Sequence, residues 1–249
     1  MIKIENSITP SRDQWKSLIL GARNAMNSWH KSDSDVGCDG KQCKDCGFKQ
    51  QWCENSPEYI IGPNDLDLMK RLCKTGTDHR KFMRMITVYV DITAPFYFWK
   101  EFSTYKVGTV ANSCSTMHKI HAKEFTLEDF SHEHLLVGAL NNLRETISLL
   151  NKYRYIYNHY DSIKNGEMIV SKEIKEIIDI LTKKQIWWQM IQLLPSSYNQ
   201  KRTVMLNYEV LANMYHSRKN HKLDEWRTFC EFIKTLPYAE LITGEEKED

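Results

Sequence analysis

Four cysteines crowd into one short stretch of the chain and form its densest group of potential metal ligands. They are Cys38, Cys43, Cys46 and Cys53, and two residues separate the second from the third. Two thiolates at that spacing can bind one tetrahedral zinc ion, and two more cysteines nearby would complete four ligands. A strong zinc signature contains two such pairs and this stretch contains one. A structural zinc site, free thiols in a loop and a redox or iron–sulfur role therefore stay as alternatives.

Two amides and a cation near the C-terminus form a second group with chemical potential. If Asn207, Asn213 and Arg218 share one helix, their spacing places the last two within about 120° of Asn207. Side-chain amides and a guanidinium in that arrangement suit a phosphate group or the edge of a base. A solvated helix face would carry the same residue types, and this interpretation stays open.

The charge of the chain is nearly balanced, with 34 Lys and Arg against 32 Asp and Glu. Because long nucleic-acid tracks need a strongly basic face, this balance argues against an extended nucleic-acid surface. Basic residues do cluster at 70–84 and at 218–222. Such clusters could hold one small phosphorylated ligand, or they could be solvated helix faces.

Hydrophobic periodicity predicts the elements that would position these residues. Ile86, Val88, Val90 and Ile92 alternate with polar residues, which predicts a half-buried strand over 85–93. Apolar residues at helical spacing predict helices at 11–29, 64–75, 96–105, 132–160, 203–218 and 223–235, and one or two helices at 171–193. Residues 107–117 are expected to be irregular.

Composition divides the chain into four parts. Residues 30–63 are polar and rich in Gly, Asp, Lys and Cys, and they are too many for an ordinary connection. We interpret them as a Cys-rich insertion or loop between an N-terminal helix in 1–29 and a main domain over 64–243. Residues 244–249 are interpreted as an acidic tail.

The order of several motifs resembles the flavin-dependent thymidylate synthases. Motifs in the family's order and at closely matching spacings are Lys74-Thr75-Gly76, Ala94-Pro95, Leu194-Pro195, Asn207-x3-Leu211-x-Asn213-x4-Arg218 and Glu225-Trp226. The resemblance covers about residues 65–235. It implies an α/β (α+β) fold in which helices flank a central, mainly antiparallel sheet, here with the Cys-rich insertion added.

The same resemblance implies a ligand set and an assembly. The chain would bind dUMP or a related pyrimidine nucleotide, would bind FAD, and would form a homotetramer with sites between subunits. Arg218 matches the family's dUMP-binding arginine, and Asn207 and Asn213 match residues that help to hold the flavin. The candidates for the nucleotide are Arg218, Lys106 and Arg84, and those for the flavin are Asn207, Asn213, Arg80 and Tyr105.

The family's Arg-His-Arg motif is not retained. Thr104 and Tyr105 stand at its first two positions and Lys106 at the third, while Thr116 replaces a later arginine. Since each charge-assisted hydrogen bond contributes about 1.5–3 kcal/mol, losing several could abolish binding of the family's ligands. Two functions stay open: a transferase that adds a one-carbon unit to C5 of the base with FAD, and a non-catalytic nucleotide sensor or sequestering protein. A zinc-linked interaction protein is a third.

In the resembling family the Arg-His-Arg motif continues with two serine positions, and Cys114 stands at one of them. Cys114 is therefore a candidate nucleophile. A thiolate beside Lys106 would have a lowered pKa and could add to C6 of a pyrimidine. A structural cysteine is the alternative, and it is the role expected for Cys73 and Cys230 on apolar helix faces.

The remaining residues of reactive type are expected to be structural. The aromatic stretch 96–99 and the pair Trp187-Trp188 fit core packing better than stacking on a ligand, and His118 and His121 lack a third metal ligand. The sequence contains no run of about 18 apolar residues and no signal-peptide pattern. We therefore expect a cytoplasmic protein.

Overall fold

A computed structural model describes residues 2–36 and 59–245 of the chain. The strands are β1 (Lys3–Ile8), β2 (Asp35–Val36), β3 (Tyr59–Ile60), β4 (Thr87–Pro95), β5 (Thr109–Ser113) and β6 (Asn199–Asn207). The α-helices are α1 (Arg12–Arg23), α2 (Pro63–Lys74), α3 (Phe96–Phe102), α4 (Thr116–Lys119), α5 (Val137–Lys164), α6 (Lys172–Ile180), α7 (Lys183–Leu193), α8 (Tyr208–Arg218), α9 (Asp224–Lys234) and α10 (Glu240–Thr243). Short 3₁₀ turns include Asn24–Met26 and Lys81–Arg84.

Four strands form the main sheet in the order β1-β4-β6-β5, and β2 pairs with β3 in a separate antiparallel ribbon. The main sheet is mainly antiparallel and is flanked by helices, which confirms the predicted α/β (α+β) class. Most of the predicted Cys-rich insertion, with Cys38, Cys43, Cys46 and Cys53, lies outside the described residues.

The described residues divide into two compact units. The first unit comprises 2–3, 93–102 and 113–202, and the second comprises 4–36, 59–92, 103–112 and 203–245. The division falls within β1, β4, β5 and β6. The domain boundaries predicted from composition stay predictions.

The strand β4 follows directly from its residue pattern. Val88, Val90 and Ile92 are buried and Tyr89 is exposed, as the alternation predicts. The strand ends at Pro95, whose nitrogen has no hydrogen for further pairing, and α3 begins at the next residue.

The aromatic stretch 96–99 of α3 packs in the core in part, since Phe96 and Tyr97 are only half-buried. Phe98 and Trp99 are both buried, and their rings meet edge to face with 5.4 Å between centres. Their apolar area stabilises the first unit, so this stretch has a packing role.

The first helix begins as its sequence predicts. The hydroxyl of Ser11 accepts the N–H of Gln14, and the side chain of Gln14 accepts the N–H of Ser11, which makes a capping box. The helix ends at Arg23 instead of continuing to residue 29. Met26, predicted on its apolar face, is therefore exposed.

One predicted helix is partly a strand. Residues 199–207 form β6, in which Gln200, Val204 and Leu206 are buried while Lys201 and Thr203 are exposed. This period of two belongs to a strand, and the predicted helix at 203–218 was wrong over its first residues. The helix α8 begins only at Tyr208.

Two strands were not predicted at all. The strand β5 occupies a stretch expected to be irregular, and β1 occupies a stretch for which no element was predicted. Both stand at the ends of the strand order, and most of their residues are exposed or only half-buried. Edge strands of this kind lack the hydrophobic alternation by which a strand is recognised.

The long helix α5 packs with α6 and α7 in the first unit. Leu150 of α5 and Met190 of α7 are fully buried in one apolar cluster, and Ile156 and Ile186 are fully buried in another. The helix begins at Val137, later than predicted. Leu136, just before it, remains exposed.

The buried carboxylate of Asp65 binds residues 32–34 by hydrogen bonds. Asp65 of α2 is 1% exposed, accepts hydrogen bonds from the hydroxyls of Ser32 and Ser34, and forms an ion pair with Arg23. Burial acts to raise the pKa of Asp65, but the hydrogen bonds from Ser34, Ser32 and Arg23 outweigh it and lower that pKa. This network anchors residues 32–34 to the start of α2.

Candidate functional site

Arg218, the predicted nucleotide-binding residue, ends α8 and is held in a defined orientation. Its Nε donates to the hydroxyl of Tyr105 at 2.9 Å, and its guanidinium carbon lies 5.0 Å from the ring centre of Trp226. The ring of Tyr105 lies 5.6 Å from the same carbon, and Trp226 is fully buried on α9. Aromatic rings attract and orient a planar guanidinium, so Arg218 is an oriented cation.

Asn207 lies at the other end of α8 and caps the helix. Its Oδ1 accepts the N–H of Val210 at 2.9 Å, and its backbone N–H donates to the carbonyl of Gly108 at 3.2 Å. Gly108 has a φ of +80°, and a Cβ there would lie 2.4 Å from Nδ2 of Asn207. Because glycine alone tolerates both that angle and that approach, the amide of Asn207 is fixed by Gly108 as well as by the helix end.

The segment 105–108 contacts both ends of α8, through Tyr105 and Gly108. A helix of 11 residues is about 16 Å long, so Arg218 and Asn207 lie at opposite ends of it. The prediction that they share one helical face was wrong, because Asn207 is the last residue of β6. One short segment nevertheless brings Tyr105, Arg218 and Asn207 into one region of the second unit.

Lys106 and Asn213 are exposed. The backbone N–H of Lys106 donates to the carbonyl of Thr104 at 3.1 Å, and Asn213 lies on the exposed side of α8. Neither side chain forms a hydrogen bond or an ion pair with any residue in 2–36 or 59–245. Their roles in ligand binding stay predictions.

Arg80 and Arg84, the other predicted ligand-binding cations, both bind the carboxylate of Glu209. Arg84 Nε lies 2.5 Å from Oε2, and Arg80 Nε lies 3.3 Å from Oε1. Glu209 is 9% exposed. Burial acts to raise the pKa of Glu209, but the hydrogen bonds and charges of Arg84 and Arg80 lower it. The charges of both arginines are thus offset by a neighbouring carboxylate.

Cys114, the candidate nucleophile, is exposed and follows β5 in the first unit. Its backbone N–H donates to the carbonyl of Lys201 at 3.0 Å, and its carbonyl accepts Nε2 of Gln200 at 3.1 Å. Arg202, in the same unit, lies within electrostatic reach of its thiol. Burial lowers the pKa of Arg202, and the charge of the Cys114 thiolate acts in the opposite direction.

The two cysteines expected to be structural differ from Cys114. Cys230 is buried and Cys73 is half-buried, and burial raises the pKa of each thiol to about 11. A thiol with so high a pKa is almost entirely protonated at neutral pH and is a poor nucleophile. The structural role predicted for both residues agrees with this environment.

Potential metal ligands do not cluster in the part of the chain that the structure describes. Residues 2–36 and 59–245 contain no group of three or more His, Cys, Asp or Glu placed to hold a metal ion. His121 packs against Tyr157, with 4.8 Å between ring centres. In the same two ranges no helix is long and apolar enough to cross a membrane.

Three residues of these regions were not anticipated from the sequence. Glu209 was missed because Arg84 and Arg80 lie 125 and 129 residues away in the chain. Arg202 was missed because β6 was not recognised. Gly108 carried a local signal, since a glycine in a polar stretch often marks a close approach of the backbone.

No family model matches the chain, and no curated protein matches it. Solved structures do match, at low sequence identity. Thymidylate synthase X (ThyX) from Helicobacter pylori, solved with FAD and dUMP, is 14% identical at a TM-score of 0.57, over 98% of each chain. A second structure of the flavin-dependent enzyme from the same organism, also complexed with FAD and dUMP, is 13% identical with the same TM-score and coverage.

A third structure extends the comparison to a related activity. The UMP/dUMP methylase PolB from Streptomyces cacaoi, bound with 5-Br UMP, is 10% identical at a TM-score of 0.53. The match covers 98% of this chain and 95% of that one. At these identities the likeness concerns the fold: the chain is similar in fold to the flavin-dependent thymidylate synthases.

Proposed function

We propose that the protein binds a pyrimidine nucleotide, dUMP or a close relative, with Arg218 as its main recognition residue. The supporting observation is the orientation of Arg218 by Tyr105 and Trp226. A guanidinium held in this way offers parallel N–H donors, the geometry that a phosphate or a base edge requires. The fold likeness to proteins solved with dUMP or 5-Br UMP supports the same ligand class.

The enzyme candidate also binds FAD. Asn207 uses its oxygen on the helix end and retains Nδ2 as a donor, Asn213 offers an exposed amide, and Lys106 offers an exposed cation. These groups fit the carbonyl and phosphate acceptors of a flavin dinucleotide. When bound and reduced, FAD would supply the hydride needed for one-carbon transfer to C5 of the base. The chain's own contribution is to bind and orient the nucleotide.

A nucleotide binder without flavin chemistry, a sensor or a sequestering protein, is the second candidate. It is favoured by the binding of Arg80 and Arg84 to Glu209, because both cations already face a carboxylate. Thr104 and Tyr105 also stand where the resembling family has Arg and His. Fewer cations therefore remain for a pyrophosphate.

Absorbance and calorimetry separate these candidates. The untagged chain is incubated with excess FAD and desalted, its spectrum is recorded, and dUMP is then titrated. Because a charge-assisted hydrogen bond contributes about 1.5–3 kcal/mol, we expect Arg218→Ala to weaken dUMP binding about ten- to a hundredfold. Arg227→Ala is the matched control, since Arg227 is an exposed arginine of α9 that pairs with Asp224.

Each outcome has a distinct meaning. Flavin absorbance retained after desalting, together with dUMP turnover, would support the enzyme. Binding of dUMP by a colourless protein would support the sensor or sequestering protein. Absence of binding to dUMP and UMP, or equal affinity in Arg218→Ala and the unaltered chain, would refute the proposed nucleotide site.

The resemblance implies a homotetramer. In such a homo-oligomer the N-terminal end of α5 would be buried between copies of the chain. Leu136 and Val137 are 83% and 76% exposed, and adjacent exposed apolar residues favour contact with a second copy. We expect Leu136→Lys to lower the molar mass measured by light scattering, whereas Ile169→Lys, at another exposed position, should not. An unchanged mass in Leu136→Lys would contradict this interface. The cytoplasmic location stays a prediction.

A further inference from the structure

Arg202, on β6 in the first unit, is the centre of a polar group that the proposed nucleotide site does not use. Its Nε donates to Oε1 of Gln200 at 3.0 Å, and its guanidinium carbon lies 4.3 Å from the ring centre of Trp99. Trp99 is 1% exposed, and its Nε1 donates to the carbonyl of Gln200 at 2.9 Å. The guanidinium therefore lies over a buried ring and is anchored at one nitrogen.

Gln200 is itself held in one orientation. It is 7% exposed, and its Nε2 donates to the carbonyl of Cys114 at 3.1 Å and to the hydroxyl of Thr116 at 2.9 Å. Its Oε1 accepts from Arg202, so each end of the amide has the partner that its chemistry requires. Because the amide cannot turn without losing these bonds, it keeps Nε of Arg202 in place.

Arg202 has no carboxylate partner in the described ranges, and the ionisable group that acts on its charge is the thiol of Cys114. No Asp or Glu of 2–36 or 59–245 forms an ion pair with Arg202, and no group in those ranges accepts a hydrogen bond from Nη1 or Nη2. The side chain is partly buried, and burial lowers the pKa of Arg202. Partial burial of a cation that has no carboxylate partner is unfavourable, and a bound anion would reduce that cost.

Thr116 is linked to Arg202 through the amide of Gln200 and offers a third donor. Its Oγ1 accepts from Gln200, which leaves its own hydroxyl hydrogen to be donated elsewhere. Two guanidinium nitrogens and one hydroxyl match an oxyanion with three or more oxygens. A phosphate has that many oxygens, and a carboxylate has two.

We propose that Arg202 and Thr116 form an oxyanion site for a small phosphorylated ligand. Nη1 and Nη2 of Arg202 would donate to two phosphate oxygens and the Thr116 hydroxyl to a third. The ring of Trp99 lies under the guanidinium group. Gln200 orients both donor residues, because its amide is hydrogen-bonded to Arg202 and to Thr116. This site is argued independently of the proposed nucleotide site at Arg218.

Thermal unfolding of the full chain tests the site with inorganic phosphate as the probe. Acetate is the carboxylate probe, and sodium chloride matches the ionic strength. We expect a saturable rise of Tm with phosphate, a smaller rise with acetate, and none with chloride. Arg202→Gln should weaken phosphate binding at least tenfold, and Arg202→Lys should be intermediate because it keeps the charge without the planar fork.

Two variants complete the design. Thr116→Val should weaken phosphate binding severalfold and leave acetate binding unchanged, because only a third oxygen needs the hydroxyl. Arg144→Gln is the matched control, since Arg144 is an exposed arginine of α5 in the same unit. Far-UV circular dichroism checks that each variant is folded.

The results separate this site from the nucleotide proposal. A phosphate effect of equal size in Arg202→Gln and Arg144→Gln, or one reproduced by chloride, would overturn the oxyanion site. A phosphate effect that depends on Arg202 would support it even if dUMP did not bind. The same effect retained in Arg218→Ala would show that Arg202 does not need Arg218.

Discussion

Arg202 in the first unit and the pair Arg80 and Arg84 in the second differ in what surrounds their charge. Arg80 and Arg84 share the carboxylate of Glu209, whereas Arg202 donates to the neutral amide of Gln200 and lies over Trp99. A carboxylate offsets the charge of a guanidinium, and an amide only orients it. The first arrangement stabilises the fold, and the second leaves a cation for a ligand.

Arg23, also in the second unit, shows the same arrangement as Arg80 and Arg84. Arg23 binds the buried carboxylate of Asp65, and the pair anchors residues 32–34. Arginine alone therefore does not indicate a ligand site. What distinguishes Arg202 from Arg80 and Arg84 is whether a carboxylate contacts the guanidinium group. Substitutions that remove or add a carboxylate test this difference.

Glu209→Ala is expected to have the largest effect on stability. The substitution leaves Arg80 and Arg84 without their carboxylate partner, as Arg202 already is. Removing one partner of a fully buried ion pair costs about 3–5 kcal/mol, and removing one from a partly exposed pair costs less. We expect the free energy of unfolding to fall by about 2 kcal/mol, which lowers Tm by roughly 4–8 °C in a chain of this size. Urea and thermal unfolding measure both quantities.

The control for this variant is Glu231→Ala. Glu231 is an exposed acid of α9 that pairs with Lys234, and such pairs contribute about 0–1 kcal/mol. If Glu209→Ala were no less stable than Glu231→Ala, the two arginines would not need their carboxylate. The contrast with Arg202 would then have no energetic basis.

Gln200→Glu makes the opposite change, since it gives Arg202 an acidic partner. The new carboxylate would lose the two N–H bonds to Cys114 and Thr116, so we expect unfolding to become easier by about 1–2 kcal/mol. Phosphate affinity should fall at least tenfold in the thermal-shift titration. Gln192→Glu adds the same charge at an exposed position of α7 and should change neither quantity. Undiminished phosphate binding in Gln200→Glu would contradict the oxyanion site.

Tyr105→Phe tests orientation without changing charge. The substitution keeps the ring beside Arg218 and removes the hydroxyl that accepts from Nε. A neutral hydrogen bond contributes about 0.5–1.5 kcal/mol, so calorimetry should show dUMP affinity reduced about three- to tenfold. Tyr89→Phe, at an exposed tyrosine of β4, should leave the affinity unchanged. Equal affinities in the two variants would show that the hydroxyl does not orient Arg218.

The pH dependence of stability is the smallest effect that we predict. The pKa of Glu209 is lowered in the folded chain by Arg84 and Arg80, which outweigh the opposing effect of burial. Its contribution is therefore complete above the unfolded pKa of about 4.3 and is lost as the pH falls through the folded value. Urea unfolding at pH 7, 5, 4 and 3 should show a shallower acid decline in Glu209→Gln. Parallel declines would mean that the carboxylate is not stabilised by its arginines.

Elements with a strong local pattern could be predicted from the sequence, and the others could not. The alternation in β4 is local and was predicted, and the helix predicted from residue 11 does begin there, with a capping box at Ser11. The strand β6 was missed in part because its buried residues run directly into α8 at Asn207. The strands β1 and β5 were missed because most of their residues are not buried.

The candidate site shows the same division. The motif around α8 singled out Asn207, Asn213 and Arg218, and their ligand roles stay predictions. The contact between Tyr105 and Arg218 joins residues 113 apart in the chain, and that between Arg84 and Glu209 joins residues 125 apart. No local pattern contains such pairs.

The sequence by itself determined the α/β class, the strong helix starts and the supply of cations. The tertiary structure decided which cations meet a carboxylate, which lie over an aromatic ring, and where glycine lets the backbone approach Asn207. The reason is physical: propensity and periodicity act between near neighbours in the chain, whereas Coulomb attraction, stacking and steric exclusion act between neighbours in space.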